Sequence, residues 1–210
     1  MANYRNGTGA SRQRQRKRRG NGRSAVGIML LFAVCTVALL FVIKFSDIKH
    51  EFELREYPRR YASSIDKYAS YYHIDANLIY AVAKTESSFR PDAESNAGAR
   101  GLMQMTDETF DFVRRQLGES GETFDDLYDP DTNVKYCAYY IAYLYRTFGN
   151  VTCAIAAYHA GPGSVNTWLK DTRYSDDGDN LKLIPSATTS HYVDKVSGAY
   201  ARYAELYAQG

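Results

Sequence analysis

Tyr80-Ala81-Val82-Ala83-Lys84-Thr85-Glu86-Ser87-Ser88-Phe89 reads as the last turns of a helix that carries one carboxylate, Glu86, to the end of an apolar face. Ile79, Val82, Ala83 and Glu86 are separated by three, one and three positions, so they share one stripe of a 3.6-residue period. A core-facing stripe that ends in a carboxylate sets burial against ionisation. A helix end near Ser88 adds the negative end of the macrodipole. Both effects raise the pKa of Glu86, as a general acid working near neutral pH requires. The plain alternative, for this stretch taken alone, is a surface glutamate at a frayed helix end.

Working outward, the 210 residues suffice for one domain with appendages. The net charge of +2 is unevenly placed: residues 1–23 hold eight Arg and Lys and no acid, which leaves 18 bases against 24 acids in the rest. That remainder, at −6, has no electrostatic reason to bind nucleic acid or an anionic membrane. Residues 1–24 form a basic tail, solvated and expected to be disordered. Residues 25–43 follow without a charge, interrupted only by Gly27 and Thr36. As a helix this run spans about 28 Å, close to the ~30 Å of a hydrocarbon core. No small-residue cleavage site follows at Lys44-Phe45-Ser46-Asp47-Ile48, so the run is expected to be a retained transmembrane helix. The positive-inside rule then puts the tail in the cytoplasm and the remainder outside the cell membrane, on a single-pass anchor.

Residues 44–56 read as a charged stem and residues 57–210 as the outer domain. Pro58 is a candidate helix opener, and Tyr61, Ile65, Tyr68 and Tyr72 form a packing face. Asp75 is suited to N-cap the Glu86 helix. Pro91 to Gly101 reads as an irregular loop or short hairpin. Thr106 caps a helix that Gly118 ends, and Asp129-Pro130 is a break before a Tyr-rich helix from Asp131 to Phe148, stopped by Gly149. Cys153 to Tyr158 is a short apolar helix, Gly161-Pro162-Gly163 a tight turn, Val165 to Leu169 a further helical turn. A last helix runs from about Ser186 to Tyr207. The fold class is mainly α, one helical domain with a small loop or hairpin region behind one membrane helix.

Cys137 and Cys153 fall on successive helices, offset by about 12 Å if these pack antiparallel. That exceeds disulfide reach, so two small buried thiols are expected. His50, His73, His159 and His191 are scattered, with no metal-ligand spacing. No cofactor and no metal are expected.

Four segments, in this order and spacing, resemble the lytic transglycosylases of the soluble type (glycoside hydrolase family 23), relatives of goose-type lysozyme. They are Glu86-Ser87; Gly98-Ala99-Arg100-Gly101-Leu102-Met103-Gln104; Ala156-Ala157-Tyr158-His159-Ala160-Gly161-Pro162-Gly163; and Tyr192-Val193. The resemblance covers about Tyr57 to Tyr207. It implies a lysozyme-like fold that cleaves the β-1,4 bond between N-acetylmuramic acid and N-acetylglucosamine in peptidoglycan and leaves a 1,6-anhydro product. Glycoside cleavage usually needs two carboxylates. Asp92, Glu94, Asp107 and Glu108 are the candidates for a second, and none has a site-like setting by sequence. The resemblance implies a single-carboxylate route, with Glu86 as acid and then base and the substrate's N-acetyl group and 6-hydroxyl doing the rest.

By the same resemblance, Ser87 bonds near the acid or the substrate amide, Met103 and Gln104 line the cleft, and Tyr158, His159 and Tyr192 reach the acid or the sugar. His159 stands where the family usually has Asn, and Thr188-Thr189-Ser190 where it usually has Glu-Thr-Arg. The partners expected are peptidoglycan strands and the membrane, with a cell-envelope complex left open. The rival readings are a hydrolytic muramidase of the same fold and a wall-binding module without turnover.

Overall fold

The computed structural model describes residues 21–208. The expectation for the basic tail therefore lies outside the described residues up to position 20, while Asn21 already belongs to the first helix. That helix, α1 (Asn21–Glu56), carries the apolar run and the charged stem in one rod of 36 residues. Val26, Leu30, Phe41 and their neighbours are all exposed along it, and by length and composition it can cross a bilayer. The stem continues the helix because it holds no breaker before Pro58 and adds pairs such as Lys49–Glu53, 3.7 Å apart one turn on.

Pro58 ends α1 rather than opening the next helix. The residue before a proline is driven from helical angles, and Tyr61 then turns through φ 56° before α2 (Ala62–Tyr72) begins. The chain divides into two compact units between Glu53 and Leu54, within the last turn of α1.

The second unit is a helical assembly around α3 (Ala76–Ser87). Leu78 to Ala83 are buried in succession, so α3 is covered on every side and not only along the stripe that the sequence marks. Asp75 caps it, accepting from the Asn77 amide at 2.9 Å, a bond of the kind worth about 1 kcal/mol. Then come α4 (Asp107–Leu117), capped by Thr106 and ended by Gly118, and a 3-10 turn (Phe124–Tyr128) that the sequence reading did not foresee. The Tyr-rich α5 (Pro130–Phe148) starts one residue earlier than expected, with Pro130 in its first turn and Asp129 as its cap. Next are α6 (Val151–Ala160), α7 (Pro162–Leu169) and α8 (Ala187–Tyr207).

The Gly161-Pro162-Gly163 turn shrinks to Gly161 alone, at φ 81°, because Pro162 is already the first residue of α7. Helix α3 packs against α8 and α2, α5 against α2 and α6, and α6 against α8 and α7. No strand forms among the described residues. Of the irregular loop or short hairpin expected from Pro91 to Gly101 the structure forms the loop, with isolated bridges of Arg100 to Glu94 and to Met105.

Tyrosines fix the α8 end of the assembly. Tyr203 stacks on Tyr80 at 5.4 Å and donates to Pro58 O, and Tyr207 donates to Tyr57 O. Tyr80, Tyr136 and Tyr203 are fully buried, yet each hydroxyl finds an acceptor, which removes the penalty of burying it. Cys137 and Cys153 are free and buried, as expected from their offset.

Candidate active site

Glu86 occupies the last turn of α3. Ser88 closes that helix at φ 55° and Phe89 follows at φ 64°, two consecutive left-handed residues without a glycine. Such residues cost of order 1–3 kcal/mol each and persist where the surroundings enforce them. Here the enforcement is visible: the Ser88 and Phe89 amides bond back to Lys84 O and Ala83 O, and the buried Phe89 ring packs near Tyr80. The turn directs the chain away while Glu86 stays at the mouth of the helix end.

The Glu86 carboxyl is largely enclosed by protein and receives one side-chain hydrogen bond, from the Tyr192 hydroxyl to Oε1 at 2.6 Å. Burial pushes its pKa up to about 7, and the Tyr192 bond offsets part of that rise. Neither a cation nor a second carboxylate enters that balance. Tyr192 itself is held well above its ordinary value, by burial first and by the Glu86 charge second, so it remains a donor at any working pH. Tyr158 is likewise kept protonated by burial and donates to Met103 O at 2.7 Å. Burial raises the Cys137 thiol to about 12, which makes it unreactive. No group of three metal-binding side chains occurs among the described residues.

After the Ser88–Phe89 turn comes the loop of residues 90–105, held by its own backbone: Gly101 N bonds Ala93 O at 2.8 Å, and Arg100 and Met105 exchange amide bonds. Gln104 adopts φ 50° and its Nε2 donates to both Ala93 O and Gly101 O at 3.0 Å. Ser87 is buried and donates to Leu102 O at 2.7 Å while accepting from the Arg90 amide. Met103 is completely buried and contributes its backbone carbonyl to Tyr158 and its amide to Asn133. Of the residues read from the sequence, Tyr192 touches Glu86 and Tyr158 joins through Met103. Ser87, Met103 and Gln104 build the loop behind the site, and their hydrogen bonds go to it rather than into the cleft.

The residue that sequence reasoning missed is Asn133, fully buried on α5. Its Nδ2 donates to Leu127 O at 2.9 Å and Arg100 O at 3.1 Å, and its Oδ1 accepts from Met103 N at 3.0 Å. A Cβ on Gly101 would lie 2.2 Å from Asn133 Nδ2 and from Leu127 O, so the loop reaches this amide only because residue 101 has no side chain. The available signal was an amide on an apolar helix stripe with Val134, Cys137 and Ile141.

The two departures from the family pattern meet each other. His159 Nδ1 lies 3.1 Å from Thr189 Oγ1, and the imidazole sits over the Tyr192 ring at 4.6 Å. Thr189 belongs to the first turn of α8, where Ser186 is the cap.

This arrangement is set within a recognised family. The pattern of the Transglycosylase SLT domain matches residues 63–180, more than half of the sequence, and the chain belongs to that family. It is 34% identical over 152 residues to the soluble lytic murein transglycosylase of Escherichia coli K12, covering 70% of this chain and 24% of that protein. To the membrane-bound lytic murein transglycosylase C of Yersinia pestis it is 30% identical over 166 residues, covering 69% of this chain and 46% of the relative. An inactive mutant of the lytic transglycosylase Slt from Pseudomonas aeruginosa superposes with TM-score 0.64 at 33% identity, over 71% of this chain and 24% of that one. The chain thus spans between about a quarter and under half the length of these relatives.

Proposed function

We propose that this chain is a membrane-anchored lytic transglycosylase that cleaves the bond between N-acetylmuramic acid and N-acetylglucosamine in peptidoglycan and closes a 1,6-anhydro ring. The observation that carries the reading is a single enclosed carboxyl, Glu86, poised near pH 7 with one protonated donor, Tyr192, on its oxygen. An acid with this pKa can give its proton to the glycosidic oxygen as the C1–O bond breaks. The leaving sugar departs as an alcohol, and the N-acetyl oxygen shields the cation at C1. Glu86, now a carboxylate, accepts the proton of the 6-hydroxyl as that oxygen bonds to C1. No water is consumed, and Glu86 ends protonated for the next turnover.

Residues 25–43 would span the membrane once, with the eight bases of residues 1–23 on the cytoplasmic side and the domain from Tyr57 onward outside. The anchor then limits the enzyme to strands close to the membrane. His159 and Tyr158 would border the sugar at Tyr192, with Gln104 and Ser87 holding the loop behind the site.

The test is digestion of isolated peptidoglycan by the full chain in detergent, wild type and Glu86→Gln, with products read by mass spectrometry. Anhydro-ended fragments from wild type and none from the variant support the reading. Reducing ends with an added water would instead make it a muramidase, and wall sedimentation without any release would make it a binding module.

A further inference from the structure

Residues 56–59 lead from the apolar run into the helical unit, and each of them touches α3 or α8, the two helices that carry Glu86 and Tyr192. Lys84 of α3 donates to Glu56 O at 2.6 Å and to Glu56 Oε1 at 2.8 Å, and its Nζ lies 4.5 Å from the centre of the Tyr57 ring. Tyr207 of α8 donates to Tyr57 O at 2.8 Å, and Tyr203 to Pro58 O at 3.1 Å. The Tyr57 ring meets Tyr203 edge-on at 5.5 Å. The Arg59 guanidinium lies over the Tyr80 ring of α3 at 4.9 Å and over the Tyr207 ring of α8 at 5.3 Å. Three consecutive carbonyls therefore accept from α3 and α8. Little of this segment is core, since Glu56 and Arg59 are exposed and Tyr57 and Pro58 half-buried.

The two helices run antiparallel. Tyr80 meets Tyr203, and six residues further along α3 Glu86 meets Tyr192, eleven residues back along α8. The segment thus grips the pair of helices about 16 Å along α8 from the reacting end. Lys84 precedes Glu86 by two positions, which turns it by about 200° around the helix and away from Glu86, so it cannot reach the same sugar. The bond between Tyr192 and Glu86 is short, at 2.6 Å, and joins two separate helices. A slide of α3 past α8 by about 1 Å would take it out of hydrogen-bond range.

We infer that residues 56–59 are a clamp that fixes the register of α3 against α8, and that Lys84, Tyr203 and Tyr207 are positioning residues for the Glu86–Tyr192 pair. The chain leaving the anchor is then part of the support of the acid, and not a passive tether. The inference rests on the transglycosylase reading for its activity measurements alone. The other ionisable groups around the acid are Tyr192 of α8, Tyr158 of α6 and Cys137 of α5, all kept protonated by burial, with His159 of α6 beside Tyr192. Tyr207→Phe changes none of them and no charge, so its effect on the acid can come only through position.

The test uses the full chain in detergent. Lys84→Met and Tyr207→Phe should each lower kcat on isolated peptidoglycan about fivefold, with KM within about twofold of wild type. Both should move the alkaline limb of the rate profile upward, toward that of Tyr192→Phe. Lys84→Arg, which keeps a donor for Glu56 O, should restore both values. In a Tyr192→Phe background neither change should act further, because the bond they protect is already gone. The pKa of Glu86 is also read without any product, from the pH dependence of thermal melts of each variant against the same variant carrying Glu86→Gln, and it should rise in Tyr207→Phe. A lower Tm with kcat and limb unchanged overturns the inference and leaves the clamp a fold contact only. So does an equal loss of kcat with and without Tyr192. If Lys84→Met fails to fold, Tyr207→Phe, which keeps its ring, decides. If wild type releases no product, the transglycosylase reading fails, and the melts decide the clamp by themselves.

Discussion

The Tyr192 hydroxyl stands 2.6 Å from Glu86 Oε1, joining α8 to the end of α3 across 106 positions of sequence. The bond favours the ionised carboxylate and burial opposes it, and the two leave Glu86 near pH 7. Removing the donor should therefore move the pKa upward. A hydrogen bond to a charged group contributes about 1.5–3 kcal/mol, and one pKa unit corresponds to about 1.4 kcal/mol. In Tyr192→Phe the alkaline limb of the rate profile should shift up by about one unit while kcat falls. A limb that stays in place, or moves down, would show that the bond does not set the acid.

The same burial makes Glu86 costly to the fold. Its folded pKa, about 7, exceeds the ordinary 4.5, so its contribution to stability is fully present below about pH 4.5 and is lost as pH rises through 7. Glu86→Gln keeps the shape and cannot ionise. The variant should match wild type near pH 4 and be more stable above pH 7, by about 3 kcal/mol at the upper bound set by the pKa shift. Thermal melts of both proteins at pH 4 and pH 8 check this, and equal Tm values at pH 8 would contradict it.

Gly101 and Asn133 form one unit. At φ 76°, residue 101 disfavours any side chain, and an added Cβ would meet Asn133 Nδ2 and Leu127 O at 2.2 Å. Gly101→Ala should displace the loop that carries Gln104 and reduce turnover by at least about tenfold, while α3 with Glu86 stays folded. Asn133→Ala should leave Met103 N and two carbonyls without their partner, at a cost of about 1–3 kcal/mol for a buried group. Because both changes strike the same contact, the double variant should be less damaged than the sum of the two. Urea unfolding of the three variants measures this directly.

Helix ends were legible where single residues mark them: Asp75, Thr106 and Gly149 stand where their side chains, or the lack of one, fix a cap, whereas Asp129, read only as part of a break, proves to cap α5. The stripe made Glu86 a candidate for burial, but period and polarity alone fit a surface glutamate at a frayed helix end equally, and only packing across α3 and α8 places it. Pro58 was misread because a proline fits both the stop of one helix and the start of the next, and only the uninterrupted helix before it decides between them. Ser87, Met103 and Gln104 carry polar or flexible groups that suit a cleft equally well. Whether those groups face a ligand or their own backbone depends on loop closure across residues 93 to 133, which no local pattern encodes. Asn133 escaped for the same reason, because its partners lie on two other segments.

His159 gives the last prediction. Its Nδ1 lies 3.1 Å from Thr189 Oγ1, which is also 3.0 Å from Ser186 Oγ. While the ring is neutral one of its nitrogens donates and the other accepts, and Thr189 Oγ1 can serve Nδ1 in either role. Burial lowers its pKa below the ordinary 6.5, so the ring is neutral at pH 7 and gains charge only on acidification. The cation then appears 4.6 Å from the Tyr192 ring that supports Glu86, and both ring nitrogens become donors. Asparagine makes no such change. His159→Asn should stay within about threefold of wild type at pH 7 but differ from it increasingly below pH 6, flattening the acidic limb of kcat/KM. Superimposable profiles from pH 4.5 to 8 would mean that the imidazole acts only as a packing group beside Tyr192.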